Sequence, residues 1–449
     1  MSKQRIQLSD HFTYSRLLRF VLPCIGTMLF TSIYGIVDGL CVSNFVGKTA
    51  FAAVNLIMPL PMLLGTIGFM LGTGGSAIVG ITLGEGDREK ADRYFTLFLL
   101  AALVSVSVLA VLGIVFLRPI AVLLGAKGEL LDYAVRYGRI LMVSLPTFAL
   151  QNMFQSFFVT AEKPHLGFWF TVGAGCTNMV LDVLMVGIWG WGVEGAAIAT
   201  FISQLVGGVL PVFYFINRSN SSRLHLCRTS FYSKVLRDAC INGSSELMTN
   251  LSMSLVNILY NYQLLRLAGE NGVAAYGVIM YAAFLFVAVF VGYAVGSAPI
   301  VSFHYGARNH AEVHNLYRKS LRLIAVVAVT LTLASMFIIP CVARIFVGYD
   351  AELLALTSRA FRLYALSFLI MGFNVYASSF FTALGDGVTS ALISFLRTLA
   401  FQVIAILLLP LLLGIDGIWL AVTAAELAAL AVSAAMLLTK DKMFHYRKV

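Results

Sequence analysis

The sequence predicts an all-α integral membrane protein. Its twelve transmembrane helices are expected to form two parallel six-helix repeats, an N and a C lobe, around a central cavity. Two observations carry this prediction, an apolar composition and an internal repeat. Of 449 residues, 59% are hydrophobic and only 12% are charged, whereas soluble domains have about 25% charged residues. Runs such as 97–117 and 323–339 contain no charge, and their length suits a hydrocarbon layer of about 30 Å.

The internal repeat has a fixed offset of 222 residues. Segment 52–84 aligns without a gap on 274–306, with nine identical pairs, and the same offset places the turn 192–195 (GVEG) on 414–417 (GIDG). Agreement of separate windows on one offset indicates a duplicated unit. Because six helices per unit is an even number, both units should enter the membrane in the same direction.

Each apolar run is predicted to be a helix, because a helix satisfies its own backbone groups in lipid. The first run has no small-residue cleavage site behind it, so it is expected to be a retained span. With boundaries good to about 2–4 residues, the spans in order are 17–42, 51–81, 94–117, 134–160, 166–189, 193–216, 236–264, 273–302, 318–340, 357–383, 388–413 and 417–439.

These spans predict a domain organisation and an orientation. We expect an N-terminal lobe at 1–216, a cytoplasmic linker at 217–235, and a C-terminal lobe with a short basic cytoplasmic tail at 236–449. Placing the N-terminus inside puts 21 of the 31 Lys and Arg on the cytoplasmic side. Positively charged loops mark that side, so both termini are expected in the cytoplasm of a bacterial cell. The basic excess fits contact with anionic membrane lipids and does not indicate nucleic acid binding.

No pattern in the chain suggests an enzyme. The six cysteines show no CxxC or CxxH spacing, so neither a disulfide framework nor a structural metal site is indicated. Clustered catalytic acids and His-rich motifs are also missing from the sequence. We therefore expect no catalytic residues and no cofactor. The polar loops 84–92 and 306–319 are interpreted as solvated.

Ionisable groups inside predicted spans are expensive and indicate function. In the first lobe these are Asp38 and Asp182, and Asn178 shares a helix face with Asp182 because the two are four residues apart. The direction in which the chain crosses the membrane in each span places both acids, with Tyr137 and Thr200, in the outer half of the membrane. Thr31 and Tyr34 lie on the same helix face as Asp38. Two readings stay open: Na⁺ bound by Asp38, Asn178, Asp182 and Thr200, or a proton shared between the acids.

The second lobe does not repeat this group. The positions 222 residues after the two acids are Tyr260 and Ile404, so the acids are not needed to build the six-helix unit. The second lobe has charges of its own, Glu246, Arg397 and Glu426. Either a glutamate neutralises Arg397, or Glu246 belongs to a substrate or proton site. Helices 2 and 8, the best-matching pair, are expected to line equivalent walls of the cavity at Gly68 and Phe290.

The chain resembles the multidrug and toxic compound extrusion (MATE) family. The stretch IVDGLCVSNFVGKTAFAAVNL at 36–56 resembles the helix 1–2 signature of that family, and NGSSELMTNLS at 242–252 resembles helix 7 of its MepA-like members. Tyr137, Asn178, Asp182 and Thr200 match the first-lobe cation site of the DinF-like branch. Thr31 stands where some relatives have glutamine, and helix 10 has Asn374 where the NorM-like branch has aspartate.

The resemblance implies an antiporter that exports bulky, often cationic organic compounds or drugs, driven by inward flow of H⁺ or Na⁺. We expect the chain to work as a monomer. The alternative is a lipid-linked oligosaccharide flippase of the same superfamily. A flippase should line its cavity with Arg and Lys for diphosphate recognition. Arg397 is the one basic residue in mid-span, which favours the antiporter.

Overall fold

The computed structural model describes residues 6–46, 48–348 and 350–447, and every regular element in these ranges is a helix. The all-α fold predicted from the sequence is therefore confirmed, and the ends of the predicted first lobe and tail, 1–5 and 448–449, lie outside the described residues. The helices are α1 (Tyr14–Phe45), α2 (Lys48–Ile57), α3 (Pro59–Gly84), α4 (Arg88–Leu123), α5 (Glu129–Thr160), α6 (Pro164–Asp182), α7 (Gly192–Gly208), α8 (Leu210–Ile216), α9 (Ser233–Gly306), α10 (His310–Val347), α11 (Ala351–Ala365), α12 (Phe368–Ala383), α13 (Gly387–Phe395), α14 (Phe401–Leu413), α15 (Ile415–Thr439) and α16 (Asp441–Phe444), with π-helical segments at Val183–Ile188 and Leu396–Ala400.

The number of membrane spans stays a prediction. In the described ranges nine helices are long and apolar enough to cross a membrane, or ten if the bent pair α11–α12 is one span. Helix α9 has 74 residues and is broken at Gly269, whose φ is 61°. Glycine adopts such a backbone at little steric cost, so α9 consists of two arms, 233–268 and 270–306. The predicted spans 236–264 and 273–302 fall on these arms.

Two hydrophobic clusters divide the molecule. One lies entirely within the segment 50–197 and contains residues such as Ala53 and Tyr137, and Val46, which follows α1, packs beside it. Another contains only residues of α9–α15, such as Phe361 and Trp419. We call α1–α8 the first lobe and α9–α16 the second lobe. A third cluster draws buried residues from both lobes, among them Phe157 and Phe380, and it marks the region where the lobes meet.

The lobes meet closely at one end of the molecule, where α3 crosses both arms of α9. A Cβ atom added at Gly84 would collide with the Phe303 carbonyl oxygen, and one added at Gly306 would collide with that of Ile81. These two glycines are equivalent under the repeat offset. Gly74 and Gly243 likewise approach the backbone of the opposite lobe. We call this region the closed end.

Both described ends of the chain lie at the closed end, beside the first turns of α10. The Phe12 backbone bonds to Glu312, and the Tyr446 carbonyl oxygen bonds to His314. Asp87 caps α4 and Asn309 caps α10, so the same capping position is used in both repeats. Interpreting 306–319 as a solvated loop is wrong, because α10 begins at His310 and Glu312 is only 6% exposed.

Candidate functional site

The two first-lobe acids that the sequence singled out lie next to each other. Asp182 is the last residue of α6 and is fully buried, whereas Asp38 on α1 is half-buried. Their carboxyl groups are close enough to interact electrostatically. Two ionised carboxylates at this distance repel, and a hydrogen bond between them requires a proton on one. The packing of α1 against α6 therefore brings both acids into one polar site.

Asp182 has no partner for its charge among the described residues. Among the described residues, neither carboxylate oxygen of Asp182 accepts a hydrogen bond from a protein donor. Burying an ionised carboxylate without a partner is very costly. A bound proton or a small monovalent cation would each remove that cost. The donor set, made of carboxylate and other oxygen atoms, suits a hard cation, and it suits a shared proton equally well.

Tyr137 and Tyr34 complete the immediate surroundings of the acids. Tyr137, on α5, is 1% exposed and interacts electrostatically with both Asp38 and Asp182. Its hydroxyl lies 3.9 Å from the sulfur of Met58, which is a weak acceptor. Tyr34 lies one turn before Asp38 on α1 and interacts with that acid. Both phenols therefore lie where they can respond to the protonation or cation binding of the acids.

Asn178 lies one turn before Asp182 on α6. It is 2% exposed, and its side-chain NH₂ group has no hydrogen-bond acceptor in the described part of the chain. A buried amide without a partner loses about 1–3 kcal/mol of stability. The unsatisfied amide beside the unsatisfied carboxylate shows that this stretch of α6 is not optimised for stability alone.

Thr31 and Thr200 are less closely tied to the acids. The Thr31 hydroxyl donates to the Thr27 carbonyl oxygen at 2.8 Å, and the Thr200 hydroxyl donates to that of Ala196 at 3.0 Å. Both protons are thus used within the helices that carry them, α1 and α7. Each hydroxyl oxygen keeps a lone pair for a cation, but no described hydrogen bond joins either threonine to Asp38 or Asp182.

A π-helical segment, Val183–Ile188, begins directly after Asp182. The equivalent helix of the second lobe has a similar interruption at Leu396–Ala400, which contains Arg397. Single-turn π segments occur often at functional sites because they loosen the regular hydrogen-bond ladder. In each lobe, therefore, a charged residue deep in the helix coincides with a locally loosened backbone.

In the second lobe Arg397 pairs with Glu426. The guanidinium lies 3.3 Å from a Glu426 oxygen, and the other oxygen of Glu426 accepts a hydrogen bond from the Asn374 amide at 2.7 Å. The Ser433 hydroxyl donates to the Asn374 amide oxygen at 2.9 Å. All of these groups except Arg397 are at most 1% exposed. The network joins α12, α15 and the second π segment, and it settles which glutamate neutralises the arginine.

Glu246, on the first arm of α9, has a different environment. It is half-buried and feels the charge of Arg397, but the ion pair of that arginine is with Glu426. The Glu246 backbone carbonyl accepts a hydrogen bond from the Asn250 side chain at 2.9 Å. Its carboxylate is thus outside the Arg397–Glu426 network, so its role in a substrate or proton site stays a prediction.

The sequence interpretation did not assign Asn374 and Ser433 to a site. Their connection to Glu426 depends on how α12 packs against α15, which no single-helix pattern shows. One signal was available, since Glu426 and Ser433 are seven residues apart on one predicted helix. That spacing places both polar groups on the same helix face.

A sequence model of the family described as MatE matches this chain twice, at residues 23–184 and 247–408. A curated protein from Staphylococcus saprophyticus named multidrug export protein MepA is 21% identical over 436 residues, which cover 96% of this chain and 95% of that protein. A MepA protein from Staphylococcus aureus is 22% identical over 433 residues, with the same coverage of both chains.

Solved structures share the fold. A crystal structure described as MATE in complex with MaL6 superposes with a TM-score of 0.92 at 22% identity, covering 99% of this chain and 100% of the other. A structure described as the outward-facing conformation of a multidrug resistance MATE family transporter also gives a TM-score of 0.92 at 22% identity, covering 99% of each chain.

Proposed function

The chain belongs to the MatE family, and from that premise we propose that it is a cation-coupled antiporter that exports bulky, often cationic organic compounds. The curated relatives along nearly its whole length carry the name multidrug export protein. The membrane is that of a bacterial cell, and the closed end, with both termini and the linker, faces the cytoplasm. The lobes 1–216 and 236–449, joined by the linker 217–235, work as one monomer among membrane lipids.

The observation that carries this proposal is the proximity of Asp38 to Asp182, whose carboxylate oxygens accept no hydrogen bond from a described residue. Inward flow of H⁺ or Na⁺ supplies a positive charge to this pair of acids. A ligand shifts a conformational equilibrium only through different affinity for the two states. Binding of the ion at the acids changes the repulsion between α1 and α6, so the packing of the first lobe differs between the loaded and unloaded site.

Export follows if the ion and the compound favour different states. A cationic compound is attracted by ionised acids, and that attraction weakens once an ion neutralises them. The lobes pack closely at the closed end, and we assign the opposite side of the space between them to the outside. Ion binding there releases the compound outwards, and opening of the closed end then returns the ion to the cytoplasm.

Inverted membrane vesicles provide the test of this function. We expect a fluorescent organic cation to enter vesicles that contain the protein when a Na⁺ or a pH gradient is imposed, each gradient being applied separately. Vesicles from cells without the protein are the control. Uptake driven by one gradient identifies the coupling ion. Equal uptake with and without the protein under both gradients would overturn the proposal for this class of compound.

A further inference from the structure

Residues 6–13 precede α1 and lie along the closed end without forming a helix; we call them the strap. Leu8 and Phe12 of the strap are completely buried. Both belong to the hydrophobic cluster that draws residues from the two lobes. The strap is therefore packed into the molecule at the place where the lobes meet.

The second lobe holds the strap through Glu312, in the first turn of α10. One carboxylate oxygen accepts a hydrogen bond from the Phe12 backbone N–H at 2.8 Å, and the other lies 2.6 Å from Nδ1 of His11. Lys319, two turns further along α10, donates to the Phe12 carbonyl oxygen at 2.6 Å. Hydrogen bonds to charged groups are the strong ones in proteins, so this end of the strap is firmly attached.

The first lobe holds the strap through Glu162, in the turn between α5 and α6. Its carboxylate accepts the Leu8 backbone N–H at 2.8 Å and pairs with Arg223 of the linker at 3.2 Å. The Arg223 guanidinium also lies over the Phe303 ring of the second lobe, 5.3 Å from its centre. Glu162 has a positive φ of 59°, a backbone conformation that costs energy outside glycine and needs support from its surroundings.

The Phe12 ring bridges the lobes directly. Its centre lies 6.0 Å from that of Phe20 on α1 and 6.4 Å from that of His304 on α9, in edge-to-face arrangements. Separation of α1 from the closed-end part of α9 would break at least one of these contacts. Separation of the lobes would also break the hydrogen bonds of the strap to Glu162 or to Glu312, because the two glutamates belong to different lobes.

We infer that the strap is a conformational lock, which holds the closed end together and must leave Glu312 before that end can open. The strap thus sets how much of the population is open at the closed end. This inference rests on the proposed function only in requiring that the lobes move. Its tests measure opening of the closed end and need no transported compound.

The first test follows opening through a single cysteine. Ser302 is fully buried on α9 and faces Gly80 of the first lobe, so Ser302→Cys in a background without other cysteines is protected from a maleimide while the closed end is shut. We expect Phe12→Ala and Glu312→Gln to raise the labelling rate about tenfold, the change produced by about 1.4 kcal/mol. Phe12→Leu, which keeps an apolar side chain, should stay near the rate of the unaltered strap.

Glu89→Gln is the matched control, because Glu89 is an exposed acid in the first turn of the equivalent helix α4. It should leave the rate unchanged. Labelling of Phe12→Ala and Glu312→Gln at the rate of this control would overturn the inference.

Hydrogen–deuterium exchange separates opening from unfolding and needs no cysteine. In Glu312→Gln the amides of 300–307 should exchange several-fold faster, while those of 134–141, in α5 of the first lobe, should keep the wild-type rate. Unfolding of the variant would accelerate amide exchange in both segments. In that case the same two segments are compared in Phe12→Ala, with Phe12→Leu as the milder substitution. Unchanged exchange at 300–307 in folded Glu312→Gln and Phe12→Ala would contradict the lock.

Discussion

At the scale of single residues, the buried acids differ in what neutralises them. Glu426 has Arg397 and Asn374, and Glu162 has Arg223 and the Leu8 backbone N–H. Asp182 has a second acid beside it and no protein donor among the described residues. An acid with protein partners is part of the folded structure, whereas an acid without them is available to an ion. This difference separates the structural charges from the proposed coupling site.

The Arg397–Glu426 pair should be measurable as a coupling energy. Breaking a buried pair by removing one charge costs about 3–5 kcal/mol, because the other charge stays buried without a partner. Glu426→Gln and Arg397→Gln should therefore each lower the free energy of unfolding by about 3 kcal/mol. The double mutant should lose clearly less than the sum of the two losses. Denaturant unfolding in detergent measures all four proteins, and additive losses would show that the pair contributes no coupling.

Glu246→Gln should affect export more than stability, unlike Glu426→Gln. Its carboxylate lies outside the ion pair, so the substitution should lower the free energy of unfolding clearly less than Glu426→Gln does. If Glu246 belongs to a substrate or proton site, export of an organic cation should fall at unchanged abundance in the membrane. Export at the wild-type rate would remove Glu246 from the mechanism.

At the scale of helices, the sequence predicted what depends on composition and on the repeat. The apolar runs gave the helices, and the equivalence of Gly84 and Gly306 reappears as two matching backbone contacts at the closed end. The prediction that Gly68 and Phe290 line the cavity is wrong. Gly68 packs on the Ala149 backbone of α5, and Phe290 packs on Gly372 of α12, so both face the interior of their own lobe.

Other features could not be read from helix patterns because they arise between helices. The offset that pairs Gly68 with Phe290 finds equivalent positions, but it does not tell which neighbour each one faces. The π segments after Asp182 and around Arg397 follow from local packing and have no distinctive residues. The convergence of Asp38 and Asp182 was predictable, because the direction in which each span crosses the membrane fixes the depth of its acid. The Glu312 anchor was not, since it bonds to residues about 300 positions away in the chain.

The contact of α3 with α9 predicts a sharp contrast between two glycines of α9. Gly306→Ala places a methyl group against the Ile81 carbonyl oxygen, and overpacking of this kind costs about 1–3 kcal/mol. A methyl group at Gly277 meets nothing within 4 Å, so Gly277→Ala should stabilise the helix by about 0.5–1 kcal/mol. Melting temperatures of the purified proteins should therefore move in opposite directions. Equal shifts would show that the closed end tolerates the extra atom.

At the scale of the whole molecule, the two lobes share one construction but not one chemistry. Each has a charged residue at a loosened helix. Arg397 of the second lobe pairs with Glu426, whereas Asp182 of the first lobe has no protein donor among the described residues. The lobes meet at the closed end through glycine contacts, the mixed hydrophobic cluster and the strap. Ion binding in the first lobe can therefore change the balance between a molecule joined at this end and one open there.

Active export by variants of the two acids provides the deciding measurement. Asp38→Asn and Asp182→Asn keep side-chain size but remove the charge that an ion would neutralise. They should fold, because the equivalent positions of the second repeat hold Tyr260 and Ile404. At equal abundance in the membrane, each should lower gradient-driven export at least about tenfold, the effect of about 1.4 kcal/mol, while Asp132→Asn, an exposed acid in the first turn of α5, should export normally. Wild-type export by both Asp38→Asn and Asp182→Asn would contradict coupling in the first lobe.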